Sequence, residues 1–267
     1  MTLLQAFLLG ILQGLTEFIP VSSTAHLLIG QTLLGLPAND AMFSFLVIVQ
    51  LGTLVSLFAF YWRDLLSIAQ ATLNFRRPTP ERNLGMYLLL ATIPALLAGY
   101  LLKDAVEALF KQPMLEASIR LFTAAVLLTL AEWLTKKNRT LETITWLDAL
   151  FIGVLQILAV FPGASRSGTT ISGGMFRGFD RPSAARFAFL MSVPVMLAAG
   201  AYQMLDVLAM PNLGGFLPLL AVGFLTAAVV GWFAIKWLIA YLGRRSLYVF
   251  AAYCAALGLV TLFVYLA

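Results

Sequence analysis

A carboxamide, a carboxylate, two hydroxyls and the chain's one imidazole fall within fourteen residues, QGLTEFIPVSSTAH (13–26), as Gln13, Glu17, Ser22, Ser23 and His26. Gln13 and Glu17 are four apart and share a helical face. Two oxygen-bearing side chains in that register suit Mg2+ or Ca2+, which take oxygen ligands. Glu17 is equally suited to carry a proton in an apolar setting. Ser23 and His26, three apart, can come within hydrogen-bond reach, the arrangement that activates a serine hydroxyl. Blander roles exist for the same side chains: a polar contact between helices for Gln13 and Glu17, a helix cap for Ser22 or Ser23, and a carbonyl-bound ring for His26.

A second polar stretch, FPGASRSGTT (161–170), suits the binding of an anion. Pro162-Gly163 signals a turn, and Ser165 or Ser167 is a good N-cap for a following helix. The N–H groups opening such a helix, at the positive end of its dipole, favour a phosphate. Arg166 adds a planar guanidinium that can grip one bidentately. Thr170 lies one turn further on. An arginine in an otherwise apolar region is costly and usually functional, against the plainer reading of a capped loop with a snorkelling side chain.

The elements that must position these residues are membrane helices. The 267 residues are 61% hydrophobic and 11% charged, with a mean hydropathy of +0.93, far from the roughly 25% charged residues of soluble domains. Apolar segments fall near 2–19, 24–36, 42–62, 84–102, 115–134, 146–161, 168–176, 184–208, 215–241 and 246–266. Segments 24–36 and 168–176 are too short to cross about 30 Å of hydrocarbon, and each follows a Pro-and-Ser break. No positive charge precedes the first apolar run, so a cleavable leader is not expected. Cys254 is the lone cysteine, which excludes an intrachain disulfide. The net charge of +5 is scattered over loops, which argues against a nucleic-acid partner.

GILQ (10–13) matches GVLQ (153–156), and Ser22 matches Ser165, at one common offset of 143. Paired short, interrupted segments in two halves point to a site at their interface. Arg63, Arg76, Arg77 and Arg82, then Lys136, Lys137 and Arg139, then Arg244 and Arg245 mark three basic loops, expected in the cytoplasm. Lys103 and Lys111, beside Asp104 and Glu107, fall in an expected outer loop and run against this scheme. The expectation is an all-α integral membrane protein forming a single domain. Its ten segments make two inverted five-segment repeats, 1–135 and 143–267, with six full spans and two re-entrant helical hairpins. Both termini then face outside.

No GxxxxGK[ST] sequence, no DDxxD-like cluster and no second histidine occur. ATP-driven transport, prenyl transfer and paired-histidine phosphatase chemistry are thereby disfavoured. GLTEFIPVSSTAH and PGASRSGTTISGG closely resemble the two signature regions of the bacterial undecaprenyl-diphosphate phosphatase family, also known for bacitracin resistance, and the resemblance runs along the whole chain. It implies a multi-pass enzyme of the inner membrane whose active site faces the periplasm. Such an enzyme hydrolyses undecaprenyl diphosphate to the lipid carrier used in cell-wall synthesis, with Mg2+ or Ca2+ as cofactor. It maps catalysis onto Glu17, Ser23, His26 and Arg166, substrate binding onto Ser22, Gly163, Ser165, Arg166, Ser167 and Thr170, and metal binding onto Gln13 and Glu17. Gln13 stands where some members have Glu, which shifts the metal burden to Glu17. Attack by Ser23 and attack by water both stay open, as do a homodimer and product flipping. A lipid-phosphate flippase or secondary transporter built on the same inverted repeats is the competing reading.

Overall fold

A computed structural model describes residues 1–74, 78–102, 112–160, 164–208 and 213–267. Arg76, Arg77, Lys103, Asp104, Glu107, Lys111, Phe161, Pro162 and Gly163 therefore lie outside the described residues. Within them are ten α-helices and no strand: α1 (Leu3–Thr16), α2 (Ser23–Leu33), α3 (Asp40–Leu73), α4 (Pro80–Leu101), α5 (Pro113–Leu134), α6 (Trp146–Gln156), α7 (Arg166–Phe176), α8 (Arg181–Leu208), α9 (Leu213–Leu242) and α10 (Tyr248–Leu266). Six of these, α3, α4, α5, α8, α9 and α10, are long and apolar enough to cross a membrane. At about 1.5 Å per residue the other four are too short.

The short helices form two hairpins. Thr2 opens α1 through a reciprocal capping box with Gln5, and Gln5 Nε2 also donates to the Leu34 carbonyl just past α2. The start of α1 therefore lies beside the end of α2. In the second pair, Thr145 and Asp148 form the same reciprocal cap at the start of α6. The backbone of Arg139 pairs with that around Phe179, and Arg139 Nη1 donates to the Arg177 carbonyl at the end of α7. Both polar motifs fall at the turns of these hairpins.

Close backbone approach fixes the α1 hairpin. A Cβ on Gly14 would come within 2.7 Å of Val230 Cβ and 2.9 Å of the Gly231 nitrogen. Only glycine admits α9 at that distance, the small-residue packing usual between membrane helices. The contact anchors the last turn of α1, from which Glu17 projects.

Two sequence boundaries change. The segment expected to end at 62 continues as helix to Leu73, with non-helical backbone angles at Tyr61. Arg63 and Asp64 stop an apolar count but do not stop a helix, and Asp64 accepts from Arg186 at 2.8 Å. The first helix ends at Thr16 rather than 19, with Glu17 as its C-cap, because Pro20 cannot continue a helix.

Charged clusters tie adjoining helix ends together. Asp148 accepts from Arg139, Arg177 and Thr145. Glu132 accepts from Arg181 and from the Leu247 N–H, with Lys137 Nζ 3.2 Å away.

Candidate active site

The start of α7 meets the segment that joins α1 to α2. Glu17, 5% exposed, is the hub. Its Oε1 accepts from Arg166 Nη2 at 2.5 Å, and its Oε2 accepts from Ser23 Oγ at 2.7 Å and from Gln13 Nε2 at 2.8 Å. Arg166 is 149 residues from Glu17 in sequence, at the first position of α7. Ser167 Oγ donates across the same junction to the Ile19 carbonyl at 3.4 Å. Residues from both halves of the chain thus build one cavity, lined by Glu17, Ser22, Ser23, Ser165, Arg166 and Ser167.

The local sequence explains each placement. Ser22 is the N-cap of α2, its hydroxyl accepting from the Ala25 N–H, with φ at 69° and ψ at 92°. A non-glycine residue there stores strain of about 1–3 kcal/mol, a feature that clusters at functional sites. Ser165, not Ser167, caps α7 and accepts from the Gly168 N–H at 3.3 Å. This helix start points positive dipole and guanidinium at one spot, as an anion site requires. Among the described residues Arg166 Nη1 has no hydrogen-bond partner although it is buried, so one donor is available to an incoming oxygen.

Several expectations are corrected. Ser23 and His26 are not hydrogen-bonded to each other: His26 Nδ1 donates to the Ser22 carbonyl at 2.8 Å, and Nε2 lies 2.7 Å from the Tyr253 hydroxyl. Helical side chains lean toward the N-terminus, which carries the ring back over Ser22. The Ser23 hydroxyl turns instead to the charged carboxylate, the stronger acceptor. Thr170 Oγ1 donates to the Arg166 carbonyl of its own helix at 2.8 Å and is 1% exposed, so the structure does not bring it to the cavity. Gly163 lies outside the described residues.

For a metal, the expected pair is poorly arranged. Gln13 offers Glu17 its amide nitrogen, while its oxygen is buried without a partner among the described residues. One carboxylate lines the cavity, already bonded to Arg166. Among the described residues no three of His, Cys, Asp and Glu gather. As arranged, the pair offers a cation one unpartnered amide oxygen and a carboxylate shared with Arg166, Ser23 and Gln13.

Sequence reasoning missed Arg120, Gln50 and Thr24, which also line the cavity, and Tyr253, which holds His26. For Arg120 a signal was present: Glu116 and Arg120, four apart, are a charged pair inside an apolar span, which is rare unless functional.

A sequence model of the family described as "Bacitracin resistance protein BacA" matches residues 6–260. A protein named undecaprenyl-diphosphatase from Anaeromyxobacter sp. (strain K) is 44% identical over 267 residues, covering 97% of this chain and 90% of its own. Another of that name from Chlorobium phaeovibrioides is 40% identical over 278 residues, covering 98% and 96%. A third, from Rubrobacter xylanophilus, is 44% identical over 262 residues, covering 96% of each chain.

Proposed function

The chain belongs to the bacitracin resistance protein BacA family, and from that membership and the site's geometry we infer that it hydrolyses undecaprenyl diphosphate to undecaprenyl phosphate and inorganic phosphate. The observation that carries the mechanism is the Ser23 Oγ to Glu17 Oε2 hydrogen bond of 2.7 Å. A hydroxyl donating to a carboxylate beside a guanidinium is a nucleophile, a base and an anion clamp in contact.

The terminal phosphate docks against Arg166 and the start of α7. Ser23 Oγ attacks the phosphorus while Glu17 takes the hydroxyl proton. The bond from that phosphorus to the bridging oxygen breaks, Glu17 passes the proton to that oxygen, and undecaprenyl phosphate leaves. Water then attacks the phosphoserine, giving its proton to Glu17. The bond from phosphorus to Ser23 Oγ breaks, Glu17 returns the water's proton to Ser23 Oγ, and inorganic phosphate departs. Positioning and charge stabilisation supply most of the rate, as in other phosphoryl transfers. His26 holds the Ser22 carbonyl, and with it the strained turn that presents Ser23. Mg2+ or Ca2+ arriving with the diphosphate would be held by Glu17, the one carboxylate lining the cavity, and would supply neutralisation of phosphoryl charge.

We further propose that the hairpins α1–α2 and α6–α7 enter the membrane from opposite sides and return. Each is followed by three long helices, and their turns meet at the cavity, which supports two inverted five-helix repeats. The site then faces the periplasm, with both termini outside, and the prenyl tail lies in the surrounding lipid.

Phosphate release from detergent-solubilised protein tests the reading. Release from undecaprenyl diphosphate, abolished by Arg166→Ala and by Glu17→Ala, is expected. No release with added Mg2+ or Ca2+ would sink it.

A further inference from the structure

We infer that Arg120 is the second guanidinium of the diphosphate site, holding the phosphate that remains on the lipid. The inference rests on the phosphatase reading above. Arg120 comes from α5, a long apolar helix, yet it lines the same cavity as Glu17, Ser23 and Arg166 and is 5% exposed. Because α5 packs against both α2 and α7, Arg120 stands where the two hairpins meet.

Its guanidinium is oriented in advance. Nε donates to Glu116 Oε1 at 3.0 Å, and Nη1 donates to the Ala164 carbonyl at 3.3 Å. Ala164 immediately precedes the cap Ser165 and Arg166, so one short stretch registers both arginines against each other. A planar fork fixed before the ligand arrives loses little freedom on binding.

Charge and depth argue the same way. Of the charged residues, Glu17, Arg120 and Arg166 line the cavity, whereas Glu116 does not. A diphosphate carries roughly two to three negative charges. Glu17 offsets one guanidinium, so a cavity with Arg166 alone would present no net positive charge. An ion pair at this depth adds little stability over apolar residues of similar size, and charged residues inside a span usually serve a ligand. Arg166 bonds the carboxylate that holds Ser23, which assigns it to the transferred phosphoryl group. The remaining phosphate falls to Arg120.

The test uses the full chain in detergent, with inorganic pyrophosphate and inorganic phosphate as inhibitors of phosphate release and pyrophosphate binding also followed by calorimetry. In Arg120→Gln, KM rises and pyrophosphate binds about 10- to 100-fold more weakly, the effect of removing one hydrogen bond to a charged group. Inhibition by inorganic phosphate, which needs only the Arg166 side, stays near the wild-type level. Unchanged pyrophosphate binding overturns the inference, and so does equal weakening of both inhibitors, since that would make Arg120 a prop for Ala164. The double variant Arg120→Gln/Glu116→Gln, which leaves no unpaired buried charge, is read the same way if the single variant does not fold. Failure of both to fold would assign the pair to stability and overturn the inference. Wild-type protein that binds pyrophosphate through Arg120 yet releases no phosphate would sink the phosphatase reading and leave this one standing.

Discussion

Glu17 accepts hydrogen bonds from three segments, Gln13 on α1, Ser23 on α2 and Arg166 on α7, while His26 spends both ring nitrogens on Ser22 and Tyr253. That difference decides which group can take the serine proton. Glu17→Gln keeps the shape but loses the base, so kcat for phosphate release should fall about 10²- to 10⁴-fold. His26→Gln, which loosens only the Ser22 turn, should cost less. A larger loss in His26→Gln than in Glu17→Gln would return the base to His26. Ser23→Ala should lose activity and leave no phosphoserine for mass spectrometry to find; near-normal activity would overturn covalent attack. The Gln13–Glu17 pairing was legible in the sequence because it is local, four residues along one helix. The Glu17–Arg166 pairing spans 149 residues, and no spacing rule reaches that far. Ser23 had two acceptors within reach, and spacing cannot rank a ring against a carboxylate contributed by another helix.

At the scale of elements, the α6–α7 hairpin is clasped at its open end by Asp148, which is fully buried. Burial pushes its carboxyl up, but hydrogen bonds from Arg139, Arg177 and Thr145 outweigh this, and the net shift is well below the ordinary 3.8. A carboxylate with a depressed folded-state pKa stabilises fully above its unfolded value, so the clasp is intact above about pH 4 and weakens as pH falls through the folded value. Asp148→Asn leaves two arginines facing a neutral amide. With Arg139 and Arg177 each about a third exposed, the loss is on the order of 2–3 kcal/mol. The unfolding temperature in detergent should drop several degrees at pH 7, and the variant should lose the clasp's share of the acid sensitivity. A wild-type unfolding temperature that is unaltered by Asp148→Asn would remove the clasp from the fold's stability. The short helices were legible, since a Pro-and-Ser break ends one helix and caps the next after too few residues to make a span. The length of α3 was not, because Arg63 and Asp64 look like a loop until Arg186 is seen opposite.

For the whole molecule, orientation follows from where the basic residues gather. Glu132 joins the end of α5 to the start of α8 and to Leu247, ahead of α10, and Asp148 joins the start of α6 to the end of α7. Lys136, Lys137, Arg139, Arg177, Arg181, Arg244 and Arg245 therefore share one end of the molecule. The 2.8 Å Asp64–Arg186 pair brings the later part of α3 beside α8 near that end, so the start of α3 and Ala38 before it lie at the other. With basic ends in the cytoplasm, the proposed orientation would put Ala38 outside and Asn138 inside. Both positions are exposed, and the one natural cysteine, Cys254, is fully buried, so single cysteines can be read without background. In intact cells a membrane-impermeant maleimide should label Ala38→Cys and spare Asn138→Cys, and permeabilisation should expose both. The opposite pattern would turn the molecule over and face the cavity toward the cytoplasm, overturning the proposed orientation.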